Sequence, residues 1–463
     1  MRRANRSAFF IFCKIHFLHL ARLGYARSNK FDSRIARLFL NLRRMKYSIP
    51  DSVLLKAASE YGTPLWIYDR ATIERAVKDV QVFDTVRFAQ KACPNLSVVS
   101  LIRKLGCVVD AVSAGEIVRA LKAGFKGGQQ KGKVPEIVYT ADIFDRDALE
   151  LVKKYDIAVN VGSPDMIQQL ADFGVKSELT IRVNPGFGHG HSRKTNTGGD
   201  LSKHGIWHEQ IKDCIKLAQS NGMWITGLHM HIGSGTDFEH LAQVCDAMVD
   251  ASRHLGSHLR TISAGGGLPI PYHEEEKGNR IDVKAYYDLW DNARKRIQQS
   301  IGHDVHLEVE PGRYLVAESG YLVAEIRAVK KQGNNLFYLL DAGFTDLVRP
   351  SFYGSYHAIS VVARDGRELN ETVDAVVAGP LCESGDVFTQ EEGGFVVTRK
   401  LPKAQVGDLL ILHDAGAYGA AMSSNYNSRR YAAETMYTKG EIKLIRERQT
   451  FEQLLQNDRI IEL

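Results

Sequence analysis

From about residue 86 the chain repeats one pattern eight times: a short β-branched or apolar run, followed by a stretch with helical periodicity. The runs are Val86–Ala89, Val108–Val112, Ile137–Thr140, Ala158–Val161, Leu179–Val183, Ile225–His229, Thr261–Ala264 and Val305–Val309. Between most of them lie amphipathic segments such as GEIVRALKAG, DRDALELVKKY and SPDMIQQLADFG. Strands that alternate with helices pair in parallel, and eight of them over roughly 230 residues predict an α/β fold built on a (β/α)8 barrel. Near-continuous apolar runs suit strands buried on both faces. A doubly wound open sheet would want a glycine-rich phosphate loop after its first strand; here the first strand runs into FAQKACPN.

After Gly312 the pattern changes. YLVAEIRAVKK, NNLFYLLDAG, TVDAVVAG, FVVTRKL and GDLLILHDAG are short strands divided by turn residues, which predicts a mostly antiparallel β domain. The strand-like PLWIYD precedes the barrel and is a candidate for the same domain. The expected organisation is a barrel over 69–312 and a β domain formed by 45–68 together with 313–463.

Residues 1–44 stand apart. They hold eleven of the basic residues and a single acid, Asp32, so they carry +10 of a net charge of +6, and the chain from Met45 onward carries −4. That mildly acidic body offers no nucleic-acid surface. An Arg-rich, acid-poor start is one form a targeting peptide takes. The preferred reading is a mis-assigned start or a non-catalytic extension, because Met45 opens MKYSIPDSVLLKAASEYGTPLWIYD like a natural beginning. A signal peptide fits poorly, since Lys14 and His16 interrupt the apolar run, and no stretch reaches the ~18 apolar residues of a membrane span. The six cysteines (Cys13, Cys93, Cys107, Cys214, Cys245 and Cys382) form no CxxC pair or metal-ligand spacing. They read as reduced thiols of a cytoplasmic protein, with no metal site.

Barrel active sites lie at the C-terminal strand ends. There the sequence places Lys91 after the first strand and His231 and Ser234 after the sixth, in HMHIGSG. Gly265, Gly266 and Gly267 follow the seventh, and Glu310, Gly312 and Arg313 follow the eighth, in EPGR. A lysine whose pKa is lowered by burial is a nucleophilic amine. Consecutive glycines let backbone N–H groups close around a phosphate, and Ser234 adds a hydroxyl. His231 is a flat group suited to stacking on an aromatic ring. A carboxylate such as Glu310 keeps a pyridine nitrogen protonated. Singly, each has a plainer reading: a surface lysine, a turn, a loop. Together, at the ends of strands of one barrel, they are the parts of a pyridoxal 5'-phosphate site.

With these segments and DAGFTDLVRPSFYGSYH, GPLCESGD and GAYGAAMSSNYNSR, the sequence from about Met45 to the C-terminus resembles the diaminopimelate decarboxylases. These belong to the broader fold-type III family that includes ornithine and arginine decarboxylases. FAQKACPN differs from the YAVKAN common among relatives but keeps the lysine. The resemblance implies decarboxylation of meso-diaminopimelate to L-lysine, the last step of lysine biosynthesis. It also implies a homodimer in which the segment carrying Cys382 and Glu383 completes the other subunit's site, with Cys382 as proton donor. It places Arg313, Arg349, Tyr353, Glu383 and Tyr418 on the substrate, Tyr418 also near the cofactor phosphate. The distal end of diaminopimelate carries a carboxylate that ornithine lacks, and arginine binds carboxylate through two parallel bonds. Beside CESGD, Arg349 is therefore read as a carboxylate clamp rather than a surface ion pair.

The polar stretch Phe187–Ile206 is either a lid over the site or an insertion. Three other readings compete for the whole chain. An ornithine or arginine decarboxylase would not need Arg349, a non-catalytic regulator typically loses cofactor residues, and a small cofactor-carrier barrel lacks the C-terminal β domain.

Overall fold

The computed structural model describes residues 49–130, 132–188, 197–231, 237–273, 276 and 280–462. The expected strands all form, as β2 (Thr85–Ala89), β3 (Val108–Ala111), β4 (Ile137–Ala141), β5 (Ala158–Val161), β6 (Glu178–Asn184), β8 (Trp224–His229), β9 (Thr261–Ser263) and β10 (His306–Val309). Their spatial order is β5-β4-β3-β2-β10-β9-β8-β6, every pairing is parallel, and a β5–β6 pairing closes the ring. A two-residue strand, β7 (Ile206–Trp207), extends β6 on the outside.

Closure follows from burial. Phe88, Val109, Ile181, Leu228, Ile262 and Leu307 are wholly removed from solvent, each contributing ~1.5–3 kcal/mol of hydrophobic stabilisation. Helices between strands begin at side chains that accept the first free N–H groups. Asn95 caps Leu96–Lys104, Ser113 caps Ala114–Lys122, Asp145 caps Arg146–Tyr155 and Asp282 caps Val283–Ile301. Each such cap stabilises by ~1 kcal/mol and fixes where the chain turns back from a strand.

The second sheet contains β1 (Leu65–Asp69), β11 (Gly320–Gln332), β12 (Asn335–Leu340), β13 (Ile359–Val362), β14 (Thr372–Ala378), β15 (Arg399–Pro402), β16 (Leu409–Leu412), β17 (Ala433–Thr438) and β18 (Glu441–Arg446). Its main path is β15-β14-β12-β11-β1-β17-β18, with β16 bridging β11 and β13. It is mostly antiparallel; β1–β17 and β12–β14 are the parallel pairs. PLWIYD thus supplies β1, all five residues buried between β11 and β17. FVVTRKL yields a shorter strand than its length suggests, because only Arg399–Pro402 pairs with β14. Among the described residues no helix is long and apolar enough to cross a membrane, and no group of His, Cys, Asp or Glu could hold a metal ion.

Candidate active site

The eight parallel strands carry their C-terminal ends to one cavity of ≈ 580 Å³. It brings together Lys91, His231, Gly266, Gly267, Glu310 and Gly312 from the barrel with Arg313, Arg349, Tyr353 and Tyr418 from the segments that follow. Gly265 lies just behind this lining. Ser234 falls outside the described residues, as does the centre of the Phe187–Ile206 stretch. One described flank of that stretch touches the site, through Thr197 Oγ1 donating to His231 O (2.7 Å); the other is tied outside the cavity lining, His204 Nδ1 meeting Asp142 Oδ2 (2.6 Å). Cys382 and Glu383 are exposed and are not part of the cavity of their own chain.

Lys91 sits in a single 3-10 turn, Gln90–Ala92, directly after β2. The turn is pinned from three sides. Gln90 Nε2 donates to the carbonyls of Asp110 (3.2 Å) and Glu116 (3.0 Å). The Tyr418 N–H donates to Ala92 O (2.8 Å), from a backbone in the left-handed region at φ 58°. Gly312 packs so closely that a Cβ there would meet Ala89 O at 3.1 Å. The lysine itself is exposed to the cavity rather than enclosed. The strand-end turn holds it at the mouth, so its side chain is accessible rather than buried as the sequence suggests.

Below it the barrel floor is charged and internally paired. Arg87 binds both oxygens of Glu308 at 3.0 Å and also donates to the carbonyls of Val109 and Pro135. Glu310 accepts from His229 Nε2 and Ser263 Oγ, both at 2.8 Å. Burial would raise the Glu310 pKa, but His229 and Ser263 outweigh it and hold the carboxyl below its ordinary value. Asp110, whose Oδ1 is buried without a partner, moves the opposite way, up, through burial and the nearby Glu310 charge. Burial, with Arg182 and Lys91 nearby, pushes His231 well below its ordinary value, so the imidazole is neutral. Its Nδ1 accepts the Gly266 N–H at 2.7 Å, which leaves the proton on Nε2.

The glycines are required here by close approach. A Cβ on Gly265, where φ is +62°, would meet Met230 O at 2.3 Å, and one on Gly266 would meet Glu310 O at 2.5 Å. No side chain fits there: the Gly265 N–H donates to Ser263 Oγ (3.1 Å) as the Gly266 N–H does to His231 Nδ1, so the glycine run packs backbone against backbone at the edge of the cavity. An amine at the mouth, an ionised carboxylate held by neighbours, a flat neutral imidazole and a bare glycine backbone together fit pyridoxal phosphate.

The upper wall is cationic. Arg313 Nη1 donates to Tyr272 Oη (2.8 Å) and its guanidinium lies 5.2 Å from the Tyr418 ring centre. Arg349 is 5% exposed and donates to His357 Nε2 (3.0 Å) and Ser355 Oγ (3.2 Å). Burial and Arg349 keep His357 neutral, and its Nδ1 faces the His413 carbonyl, so Nε2 is free to accept. Burial, and the positive charge of Arg313, lower the Arg349 pKa. Neither guanidinium has a carboxylate partner among the described residues.

Sequence reasoning missed His229, Ser263, Asp110, Arg182, Tyr272 and His357. Four of them carried a signal: a polar residue inside an apolar barrel strand, as in GLH, TIS, VVDA and TIRVN. Strand periodicity also puts His229 and His231 on one side. Tyr272 and His357 carried none, since their roles depend on distant segments meeting.

Residues 70–317 match the family described as "Pyridoxal-dependent decarboxylase, pyridoxal binding domain". A diaminopimelate decarboxylase of Escherichia coli K12 is 52% identical over 404 residues, covering 87% of this chain and 95% of that protein. One from Streptomyces coelicolor is 52% identical over 403 residues, covering 87% and 90%. A crystal structure of diaminopimelate decarboxylase superposes with a TM-score of 0.83 at 52% identity, over 87% of this chain and 95% of that one. The Helicobacter pylori enzyme complexed with L-lysine gives 0.77 at 30% identity, over 87% and 98%. With the same barrel, the same second sheet and a cavity that fits the cofactor, the chain belongs to the diaminopimelate decarboxylase family of pyridoxal-dependent decarboxylases.

Proposed function

We propose that this protein removes one carboxylate from meso-2,6-diaminopimelate to give L-lysine and CO2, with pyridoxal 5'-phosphate, as a cytoplasmic homodimer with shared active sites. The observation that carries the reading is the pair of guanidiniums, Arg313 and Arg349, sharing one cavity with Lys91 and Glu310 and without a carboxylate partner among the described residues. A buried guanidinium, Arg349, beside a half-buried one, Arg313, is costly without a counter-ion, and an anionic ligand offsets that cost.

Pyridoxal phosphate, when bound, accepts the electron pair left as the carboxylate departs. Lys91 is the amine that holds the cofactor. Glu310, ionised by its bonds from His229 and Ser263, holds a proton on the ring nitrogen. His231 would offer a neutral face to the ring, the glycine run Gly265–Gly267 with Gly312 and Tyr418 would hold the phosphate, and Ser234 is expected to add its hydroxyl. Arg313, Arg349 and Tyr353 orient the substrate, Arg349 by gripping its distal carboxylate. Glu383 of the partner subunit accepts from the distal ammonium, and Cys382 of the partner subunit donates the proton that replaces CO2. The exposure of both residues on their own subunit supports this exchange.

We assign 69–312 to the cofactor-binding barrel, and 45–68 with 313–463 to the β domain. We assign residues 1–44 no part in catalysis, since every residue given a role above lies after Met45. The test is product identification. Purified protein with pyridoxal phosphate is incubated separately with meso-diaminopimelate, ornithine and arginine, with Lys91→Ala as control. Lysine from diaminopimelate alone is the expected result. Putrescine or agmatine would overturn the substrate assignment, and cofactor binding without any product would point to a non-catalytic binding protein.

A further inference from the structure

Outside the cavity, one buried carboxylate joins two segments that the reaction uses separately. Asp386 closes the turn Gly379–Asp386, which presents Cys382 and Glu383, and is itself 3% exposed. Its Oδ2 accepts the Leu381 N–H at 2.8 Å, one residue before Cys382. Its Oδ1 accepts the Phe344 N–H at 2.7 Å, in the segment that leads into the helix Arg349–Tyr353. The backbone closes the same turn, with Gly379 N–H on Asp386 O (2.8 Å) and Asp386 N–H on Glu383 O (3.1 Å).

Space around the carboxylate is fully used. A Cβ on Gly343 would lie 2.9 Å from both of its oxygens, and one on Gly379 would lie 2.2 Å from Oδ2. A second stitch runs beside the first. Ser351 Oγ, on the Arg349 helix, donates to Gly385 O (2.8 Å), and Gln390 Nε2 donates to both Gly385 O (3.0 Å) and Ser351 Oγ (3.2 Å). On the far side, Asn427 Oδ1 accepts the Cys382 N–H at 3.0 Å. The Cys382 turn and the Arg349 helix are thus one hydrogen-bonded unit with Asp386 at its centre.

We propose that Asp386 is a positioning residue for the decarboxylation: through the Leu381 and Phe344 amides it sets the Cys382 turn against the Arg349 helix. This rests on the reading of Cys382 as proton donor to the partner's site. One carboxylate then fixes both the guanidinium that grips substrate in one subunit and the thiol that delivers a proton in the other. A proton donor displaced by an ångström loses its alignment with the carbon it must reach.

The decisive variant is Asp386→Asn in the holoenzyme. An amide keeps one acceptor oxygen but sets NH2 against the second buried N–H, so one of the two segments is released. kcat is expected to fall about tenfold to a hundredfold, while KM stays within about threefold and cofactor absorbance is unchanged. The alkylation rate of Cys382 by iodoacetamide, followed on its peptide by mass, should change by about threefold or more. The structural control is Asp408→Asn. Asp408 is 1% exposed in the same domain and accepts from Gln405 N–H and Arg364 N–H. That variant should lower Tm without moving kcat or the alkylation rate. Wild-type kcat and alkylation in Asp386→Asn, or equal changes in Asp408→Asn, would overturn the proposal. If Asp386→Asn does not fold, Ser351→Ala cuts the half-buried second stitch and should move both readouts in the same direction by less; no movement there overturns it. Cys382→Ala separates the two levels: wild-type turnover in it removes Cys382 from the mechanism and the positioning role with it, whereas a slow Cys382→Ala beside an unaltered Asp386→Asn refutes the positioning role alone.

Discussion

On the floor of the barrel Arg87 is held by both oxygens of Glu308, and Glu310 by His229 and Ser263, whereas on the cavity wall the partners of Arg313 and Arg349 among the described residues are the neutral Tyr272, His357 and Ser355. Both regions hold a buried cation, Arg87 and Arg349, and they differ in whether the described residues supply the counter-charge. Where it does, the ion pair is part of the folded structure and its loss is felt in stability. Where it does not, the cation is kept at a cost to stability for a ligand that brings its own carboxylate.

The largest break in that contrast comes at the floor. Arg87→Met leaves Glu308 charged and uncompensated, and should destabilise by about 3–5 kcal/mol, read from denaturant unfolding. A loss much below this would mean that the floor pair is dispensable.

A pH measurement extends the test to a partly buried carboxyl at the mouth. Burial raises Glu116, beside the Lys91 turn, from 4.5 to about 7. Its folded pKa lies above its unfolded one, so the folded chain holds the extra proton and stability falls as pH rises from about 4.5 to 7. Glu116→Gln keeps an acceptor for the Val112 N–H and removes the titration. Relative to wild type it should therefore gain about 1–3 kcal/mol between pH 5 and pH 8. Parallel pH profiles for the two proteins would contradict this.

The smallest effect belongs to the wall. Tyr272→Phe removes the hydroxyl that accepts from Arg313, but water can take its place. KM should rise about fivefold, or ~1 kcal/mol, with Tm unchanged. A shift in Tm without one in KM would make that bond structural.

The sequence made these two regions unequally legible. All eight barrel strands were readable because strands buried on both faces leave unbroken apolar runs, and Lys91, the three glycines and Glu310 were readable because a barrel fixes where its strands end. The partners of those residues were harder to see. His229 and Ser263 sit inside strands whose apolar neighbours dominate the pattern, and that they meet at Glu310 follows only from the order in which β8, β9 and β10 lie side by side. Of the wall, Arg313 was readable as a strand-end residue, but Arg349 was legible only through resemblance and His357 not at all, because they flank an irregular segment whose course local periodicity does not encode. The accessibility of Lys91 was misjudged for a related reason: an apolar strand does not reveal that its last turn opens onto a cavity.

The contrast is tested most directly by measuring kcat/KM for meso-diaminopimelate and Tm together in Arg349→Met. If the wall arginine is an unpaired cation kept for the substrate's carboxylate, kcat/KM should fall about a hundredfold, or ~3 kcal/mol, while Tm holds or rises. Unchanged kcat/KM with a Tm loss like that of Arg87→Met would show that Arg349 belongs to the fold, and would contradict the account.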